Sequence, residues 1–394
     1  MKILFYLFLL FLVAACIGDI VKEKPFYRAE NASVFEEKVR FEETTEIAFP
    51  LATSVQLDAS ILQFLQHGNK NFLFIFNPYT LKLHIYDFDQ RQEIRWLMFQ
   101  REGPDGVGAN TDLMGFFAIS MDTFLIHNYS ERKIKIFDNQ ARRLLTVDLP
   151  APDESHFSII IGHSAPFKKG NDVYFSNLYQ GTMGQALVGV EQVPALMRLN
   201  AKNFQYDFLG SRSKVYEMGY NVAGDNSYTF ATYNPHERKI IYSFRQDHFL
   251  YSNDDKGNVE KHYVGSKYFR ELSPLSMDFS DGMNRESMGD PSVALYVRTA
   301  PRYDKLLYDN VNHLYYRFTY LPRTREEYEA GKFAYRRSVI MFNESFEKVG
   351  EWVAPPSKYN LYLSFAAAGG LLLAKENDKD EDSLIFGLLK PVPL

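Results

Sequence analysis

Apolar residues in this chain come in short runs that alternate with polar ones, and the runs are cut every few positions by Asn, Asp, Gly or Pro. A period of two with turn formers at the breaks predicts strands joined by hairpins. Stretches with the 3.6-residue period of an amphipathic helix are nearly absent. Two segments share one grammar most clearly, residues 71–99 (NFLFIFNPYTLKLHIYDFDQRQEIRWLMF) and 122–150 (DTFLIHNYSERKIKIFDNQARRLLTVDLP). Each reads as an apolar strand, a polar turn, a strand closing on Ile, an aromatic residue and Asp (Ile85-Tyr86-Asp87, Ile136-Phe137-Asp138), a second turn and a closing strand.

Weaker copies follow at 172–179 with 195–200 and 205–210, at 239–244 with 248–253 and 259–265, and at 313–320 with 338–343 and 348–355. A sixth comprises 370–377 and 383–390. The third strands should end near Asp87, Asp138, Asn200, Asn253, Asn343 and Leu389. Six units of about 59 residues each have room for four strands and their turns. The pattern therefore predicts an all-β, six-bladed β-propeller, because a twisted four-stranded sheet buries its faces only against its neighbours. The sixth unit lacks an outer strand, while residues 39–50 (VRFEETTEIAFP) have the form of a closing strand without a partner. The expectation is that this N-terminal strand completes the last blade and closes the ring. A pair of open two-sheet sandwiches is the competing architecture.

Ahead of these repeats, Met1-Lys2 precedes thirteen residues without a charge, 3–15 (ILFYLFLLFLVAA), then a polar run from Gly18. That length is short for a bilayer-spanning helix and suits a secretory signal. Leu12-Val13-Ala14-Ala15-Cys16 resembles the lipobox of bacterial lipoproteins, which makes Cys16 the expected site of lipid attachment and the mature N-terminus. Residue 17 is Ile rather than Asp, so the inner-membrane retention signal is absent and an outer-membrane location is expected. The bland alternative is an ordinary signal peptide with Cys16 as a bystander. The division expected is a signal peptide over 1–15, a lipid-anchored tether over 16–34 and one propeller domain over 35–394.

Composition narrows the partners. Among 394 residues, 44 Lys+Arg stand against 49 Asp+Glu for a formal charge of −5, and the pI is about 6.0. Such a chain lacks the basic footprint that a phosphate backbone requires, so no nucleic-acid partner is expected. A single cysteine permits no intrachain disulfide and no multi-thiolate metal site.

The lipobox, the propeller-like repeats and the turn Arg101-Glu102-Gly103-Pro104-Asp105-Gly106-Val107-Gly108 together resemble uncharacterised propeller lipoproteins of Gram-negative bacteria, the domain-of-unknown-function 4221 family, over most of the mature chain. The resemblance implies a six-bladed, TolB-like or NHL-like propeller with no assigned activity, so it supplies no catalytic residue. Related propellers often carry Gly-Pro-Gly-Glu at this turn, and Gly103-Pro104-Asp105-Gly106 departs from it.

In a propeller the second-to-third-strand and blade-to-blade connections share one side of the ring. The long insertions expected at 177–194, 211–227, 265–292 and 321–337 all fall in such connections. Loops of this length are uncommon unless functional, which points to a binding face. Their content mixes rings and charges: Tyr216, Tyr220, Tyr268, Phe269, Arg270, Asp281, Arg285, Arg323 and Tyr328. A flat apolar surface packs against a sugar or peptide while polar groups fix its orientation. The ligand-binding candidates are Tyr220, Tyr268, Arg270, Asp281, Arg285 and Tyr328, with His163 beside the channel if 159–161 is an inner strand. The plain structural reading is that the loops cap the ring and their aromatics pack locally. A short helix is expected over 323–329 from its charge pattern.

Catalytic signatures are missing: no Gly-x-Ser-x-Gly, His-Glu-x-x-His, Walker loop or Cys-x-x-Cys occurs. His84 and His127 sit on strands and read as structural. The acidic runs 253–257 and 376–382 lack the spacing of an EF-hand and read as hairpin turns, the first with Gly257 at positive φ. Asp278 and Asp281 are the paired carboxylates available for glycosidase chemistry. No cofactor and no metal site is expected. The leading expectation is a non-catalytic, lipid-anchored propeller that binds a glycan, peptide or protein partner through its loop-rich face. The alternatives are a hydrolase or lyase with a metal-assisted site at the channel mouth, and a scaffold in an envelope complex.

Overall fold

Several hairpins share one closing device. An Asn or Asp at a strand end accepts hydrogen bonds from backbone N–H groups two to four residues on, and the chain re-enters the next strand through a residue of positive φ. Asn77 Oδ1 accepts from Tyr79 N (2.9 Å) and Thr80 N (3.0 Å) before Leu81 at φ 56°. Asp87, Asn200, Asn234 and Asp309 cap their turns alike, ahead of Arg91, Phe204, Arg238 and His313. A short polar side chain can satisfy these donors where an aliphatic one cannot, which is why Asn and Asp recur at the breaks of the pattern.

The computed structural model describes residues 27–28, 35–51, 57, 60–110, 114–149, 157–159, 165–178, 193–218, 228–254, 257–272, 290–331, 335–376 and 382–394. Its strands assemble into six antiparallel blade sheets and one two-stranded sheet. Besides β1 (Tyr27–Arg28) and β2 (Val39–Pro50), the first blade holds β3 (Ile61–His67), β4 (Lys70–Asn77), β5 (Lys82–Asp87) and β6 (Gln92–Met98). The second holds β7 (Met114–Ser120), β8 (Thr123–Asn128), β9 (Lys133–Asp138) and β10 (Arg143–Asp148). In the third, β11 (Phe157–Ile159) and β12 (Phe167–Lys169) share the edge of β13 (Asp172–Leu178), followed by β14 (Leu196–Asn200) and β15 (Tyr206–Leu209). The fourth is β16 (Thr229–Asn234), β17 (Lys239–Phe244), β18 (Phe249–Asn253) and β19 (Val259–Tyr263), with a small strand β20 (Glu271–Leu272) beyond it. The fifth is β21 (Arg302–Asp309), β22 (Leu314–Tyr320), β23 (Arg337–Asn343) and β24 (Lys348–Val353). The sixth is β25 (Tyr359–Ala367), β26 (Gly370–Lys375) and β27 (Ser383–Pro393). Two short helices, α1 (Pro291–Thr299) and α2 (Arg325–Glu329), lie in the connections around blade five.

The outer place of blade six is taken by β2, which pairs with β27 from Val39↔Pro393 to Pro50↔Ser383 and sets Ile47 opposite Phe386. The chain therefore forms a six-bladed propeller. Gly350 permits the approach, because a Cβ there would stand 2.2 Å from the Val39 carbonyl oxygen. Within the segment expected as a tether, β1 pairs with β20, and just beyond that segment Lys348 Nζ lies over the Phe35 ring.

The core is divided into six wedges, one at each junction between successive blades. Phe74, Phe76, Phe116 and Phe124 fill the wedge between blades one and two, and equivalent clusters follow round the ring. The wedge between blades six and one is filled by Ile47 and Phe49 of β2 with Tyr86, Phe88, Phe365 and Phe386. Phe49 is fully buried, edge-on to Tyr86 and Phe386 at 5.8 and 6.0 Å.

His84 and His127 are buried strand residues. Burial pushes the His127 imidazole down to about 3, so it is neutral. Gly257 has φ 84° and closes the 253–257 turn by donating to the Asp254 carbonyl. Helix α2 carries a full capping box, with Thr324 and Glu327 exchanging side-chain and backbone hydrogen bonds.

Two predictions follow from the closure. Phe49→Ala should cost about 3–5 kcal/mol in urea unfolding, and a loss under about 1 kcal/mol would show that β2 lies outside the cooperative unit. Glu43 of β2 is the second test. Its partial burial raises the carboxyl pKa, but hydrogen bonds from Lys358, Lys375 and Tyr359 outweigh this and hold it at about 2, below the ordinary 4.5. A depressed folded pKa gives stability that is full above 4.5 and lost as the pH falls toward 2. Glu43→Gln should therefore lower stability by about 1–2 kcal/mol at neutral pH after solvent screening, with the gap to the parent closing across that acid window. A gap independent of pH would exclude the ion pairs as its cause.

Candidate functional site

Each blade's first strand begins, and its second strand ends, on the same side of the ring. The long connections leaving β13, β15, β19 and β22 therefore open together, as the sequence pattern predicts. Beneath them lies a polar layer that joins blades three, four and five. Arg317 of β22, fully buried, donates through Nη1 to the carbonyls of His248 and Val264 (both 2.9 Å) and through Nη2 to that of Asp247 (2.6 Å). Its guanidinium lies 3.5 Å from the centre of the Tyr303 ring. Burial lowers the Arg317 pKa to about 10, which leaves it charged at neutral pH.

The Asp247 carboxylate accepts from Ser213 Oγ, from Tyr251 OH (2.8 Å) and from Phe249 N (3.0 Å). Farther out, Glu351 accepts from Ser266 Oγ (2.6 Å), Ser338 Oγ (2.7 Å) and Lys267 N (2.7 Å), fixing the start of the connection after β19 to blade five. Three connections are thus seated on one bonded floor.

Above this floor, where β21, β23 and β25 begin and β22 ends, arginines and tyrosines interleave. Arg302 stands 4.0 Å from the Tyr320 ring centre and 5.5 Å from that of Tyr335. Arg337 stands 4.7 Å from Tyr320 and 4.4 Å from Tyr362. Arg323 lies 5.6 Å from Tyr335, and Arg298 Nη1 donates to the Tyr335 hydroxyl (3.1 Å). The Tyr320 and Tyr362 hydroxyls are hydrogen-bonded to each other. Tyr320 is buried, which drives its pKa well up, and nearby Asp304 adds to this. Tyr362 is 40% exposed, and Arg298 and Arg336 face solvent.

Lys305 holds the base of this cluster. Its ammonium donates to the carbonyls of Tyr362 (2.8 Å) and Ser364 (2.9 Å), joining the innermost strands of blades five and six. Burial lowers its pKa to about 8 against the opposing pull of Asp304. The carboxylate in the cluster, Asp304, is also shared with Arg245 (3.8 Å). Among the described residues the arginines outnumber the acids here, so the surface is suited to a ligand with both negative charge and flat apolar faces.

The sequence-predicted residues scatter. Tyr220, Asp281, Arg285, His163 and Cys16 lie outside the described residues, as does Asp278. Tyr268 is 43% exposed with Lys267 over its ring at 5.1 Å, and Arg270 is exposed two positions on. Tyr328 is half-buried on α2. Two of the loop aromatics belong to the core: Tyr216 is fully buried against Phe244, and Phe269 packs on Tyr303 at 5.3 Å. Arg323 is brought into the cluster, but Arg302, Tyr320, Tyr335, Arg337 and Tyr362 were not singled out. Their signal was the arginine content of residues at strand ends next to the 321–337 insertion.

The floor yields a further prediction. Arg317→Met should leave buried carbonyls without donors and cost about 3–5 kcal/mol in urea unfolding. Arg317→Lys should recover less than half of this, since an ammonium cannot reproduce the planar fork. Equal stabilities for parent and both variants would show that water substitutes for the guanidinium.

Similar proteins agree on the fold. The chain is similar to a solved DUF4221-family structure from Bacteroides vulgatus, with a TM-score of 0.76 at 18% identity over 91% of this chain and 99% of that one. It also resembles a solved Bacteroides fragilis protein named as a putative exported protein, with a TM-score of 0.53 at 9% identity over 90% of this chain and 95% of that one. No curated protein matches it. Among the described residues no helix is long and apolar enough to cross a membrane. The family model described as Domain of unknown function (DUF4221) matches residues 34–352, and with six closed blades behind that match the chain belongs to the DUF4221 family.

Proposed function

We propose that this chain is a lipid-anchored propeller of the cell envelope, outer-membrane in location, that binds an acidic glycan on the side of the ring bearing its long connections. The supporting observation is the stack of Arg337 between Tyr320 and Tyr362, with the outer ring 40% exposed. A pyranose presents an apolar C–H face that packs on a tyrosine ring, and a uronate or sulfate on the same sugar accepts the two-pronged hydrogen bonds of a guanidinium. Arg337 is held between two rings before any ligand arrives, so little side-chain freedom is lost on binding. A neutral sugar would use the rings and leave the arginines without a counter-charge. The anchor reading rests on the uncharged segment 3–15 followed by the chain's single cysteine, Cys16.

A glycan array probed with the purified chain tests the ligand class. Uronic-acid or sulfated glycans should be retained over neutral ones, binding should weaken as salt rises, and Arg337→Ala should lower affinity at least about tenfold, or about 1.4 kcal/mol. Preference for neutral glycans, or a folded Arg337→Ala variant that binds like the parent, overturns the reading; a blank array with a stoichiometric co-purifying envelope protein would replace it with a scaffold role. Mass measurement of the mature N-terminus should find a lipid-modified Cys16, and an unmodified terminus would remove the anchor.

A further inference from the structure

On the opposite side of the ring, three turns from two neighbouring blades bring together side chains that the glycan reading does not use. His236 lies in the turn between β16 and β17 of blade four. His313 ends the turn between β21 and β22 of blade five, and Glu344 opens the turn between β23 and β24 of the same blade. The Asn234 cap fixes the first turn by accepting from His236 N (2.8 Å) and Glu237 N (3.0 Å). The Asp309 cap fixes the second, delivering His313 at φ 54°. The third is closed by Asn343, which accepts from Glu347 N (2.9 Å).

Both imidazoles aim Nδ1 at the one carboxylate. His236 Nδ1 is 3.1 Å from Glu344 Oε2, and His313 Nδ1 is 3.4 Å from Glu344 Oε1. One ligand atom from each of the three residues can be chosen so that all lie within 4.8 Å of one another. Zinc–nitrogen and zinc–oxygen bonds of about 2.0–2.1 Å in a tetrahedron place neighbouring ligand atoms about 3.3 Å apart. The two edges that share Glu344 Oε1, 3.2 Å from His236 Nδ1 and 3.4 Å from His313 Nδ1, already have that length.

The carboxylate is prepared for the role. Tyr308 OH (2.7 Å) and Asn234 Nδ2 (2.8 Å) both donate to Glu344 Oε1, and Asn234 Nδ2 also donates to Tyr315 OH (2.8 Å). Partners of this kind orient a ligating carboxylate and are the usual second layer of a metal site. Burial raises the Glu344 pKa, but these hydrogen bonds and those of the two histidines hold it at about 2, so it is ionised at neutral pH. Two imidazoles and one carboxylate form a donor set for a borderline transition ion rather than for calcium or magnesium, which take oxygen ligands.

We propose that His236, His313 and Glu344 form a zinc-type divalent metal site that staples blade four to blade five, with a fourth position open to water or an external ligand. Glu237 stands beside it, its Oε1 3.8 Å from His236 Nδ1. Because both histidines lie at the surface, the site fills and empties without unfolding the ring.

Calorimetric titration of the chelator-treated chain with Zn²⁺ alone tests this. One equivalent should bind, Ca²⁺ should not compete, and thermal stability should rise with Zn²⁺ concentration because the ion binds only the folded state. His236→Ala and His313→Ala should each abolish the stoichiometric phase, and Tyr308→Phe, which keeps the ring and removes the donor, should weaken binding about 10–100-fold. His67→Ala, in a distant hairpin, serves as the control and should bind like the parent. Absence of a stoichiometric phase in the parent, or its persistence in a folded His236→Ala variant, overturns the site, and neither result bears on glycan binding at the other side.

Discussion

No blade of this protein can bury both of its faces alone, and the whole structure depends on that constraint being met round a closed circle. A four-stranded sheet with apolar residues on both sides is stable only when each side meets another sheet. Five of the six wedges join blades that are consecutive in sequence. The sixth joins the two ends of the chain, and Phe49 and Ile47 of β2 fill it together with Phe386 and Phe365. Radial repetition also leaves each blade with only short sheet edges, at the channel and at the rim.

Closure sorts the chemistry. Since strands alternate in direction, every turn is assigned to one side of the ring or the other by its rank within the blade. The long insertions leave from one side, and those after β15 and β19 start on a bonded floor, in which Arg317 and Asp247 make local geometry depend on three blades at once. Such a layer costs desolvation but tolerates little slack, because a misplaced carbonyl becomes an unpaired one. Charged and aromatic side chains at the strand ends are thereby held in fixed relation, and Arg298, Arg323 and Tyr335 of the neighbouring connections join them. On the other side the turns are short and set by Asn and Asp caps, and rigid turns are what place His236, His313 and Glu344 within reach of a common ion.

The strand grammar was legible because its cause is local: period-two alternation reports a pleated sheet, and Asn or Asp at strand ends reports the capped turn. Asp87, Asp138, Asn200, Asn253 and Asn343 each end a third strand as the pattern required. The burial of Tyr216 and Phe269 was not legible, since an aromatic residue in a long connection has the same sequence appearance whether it faces solvent or plugs a wedge. The arginine and tyrosine cluster escaped notice for a related reason, its seven members being spread from Arg298 to Tyr362 over four short stretches of the chain.

The sequence by itself determined the blades, their number and the side on which each long connection emerges, because hydrogen-bond periodicity and turn chemistry act over a few residues. Only the tertiary structure decided which side chains meet. Arg337 finds Tyr362, and His236 finds Glu344, across distances in sequence that no local rule spans, since those contacts are created by the angle at which one twisted blade packs upon the next.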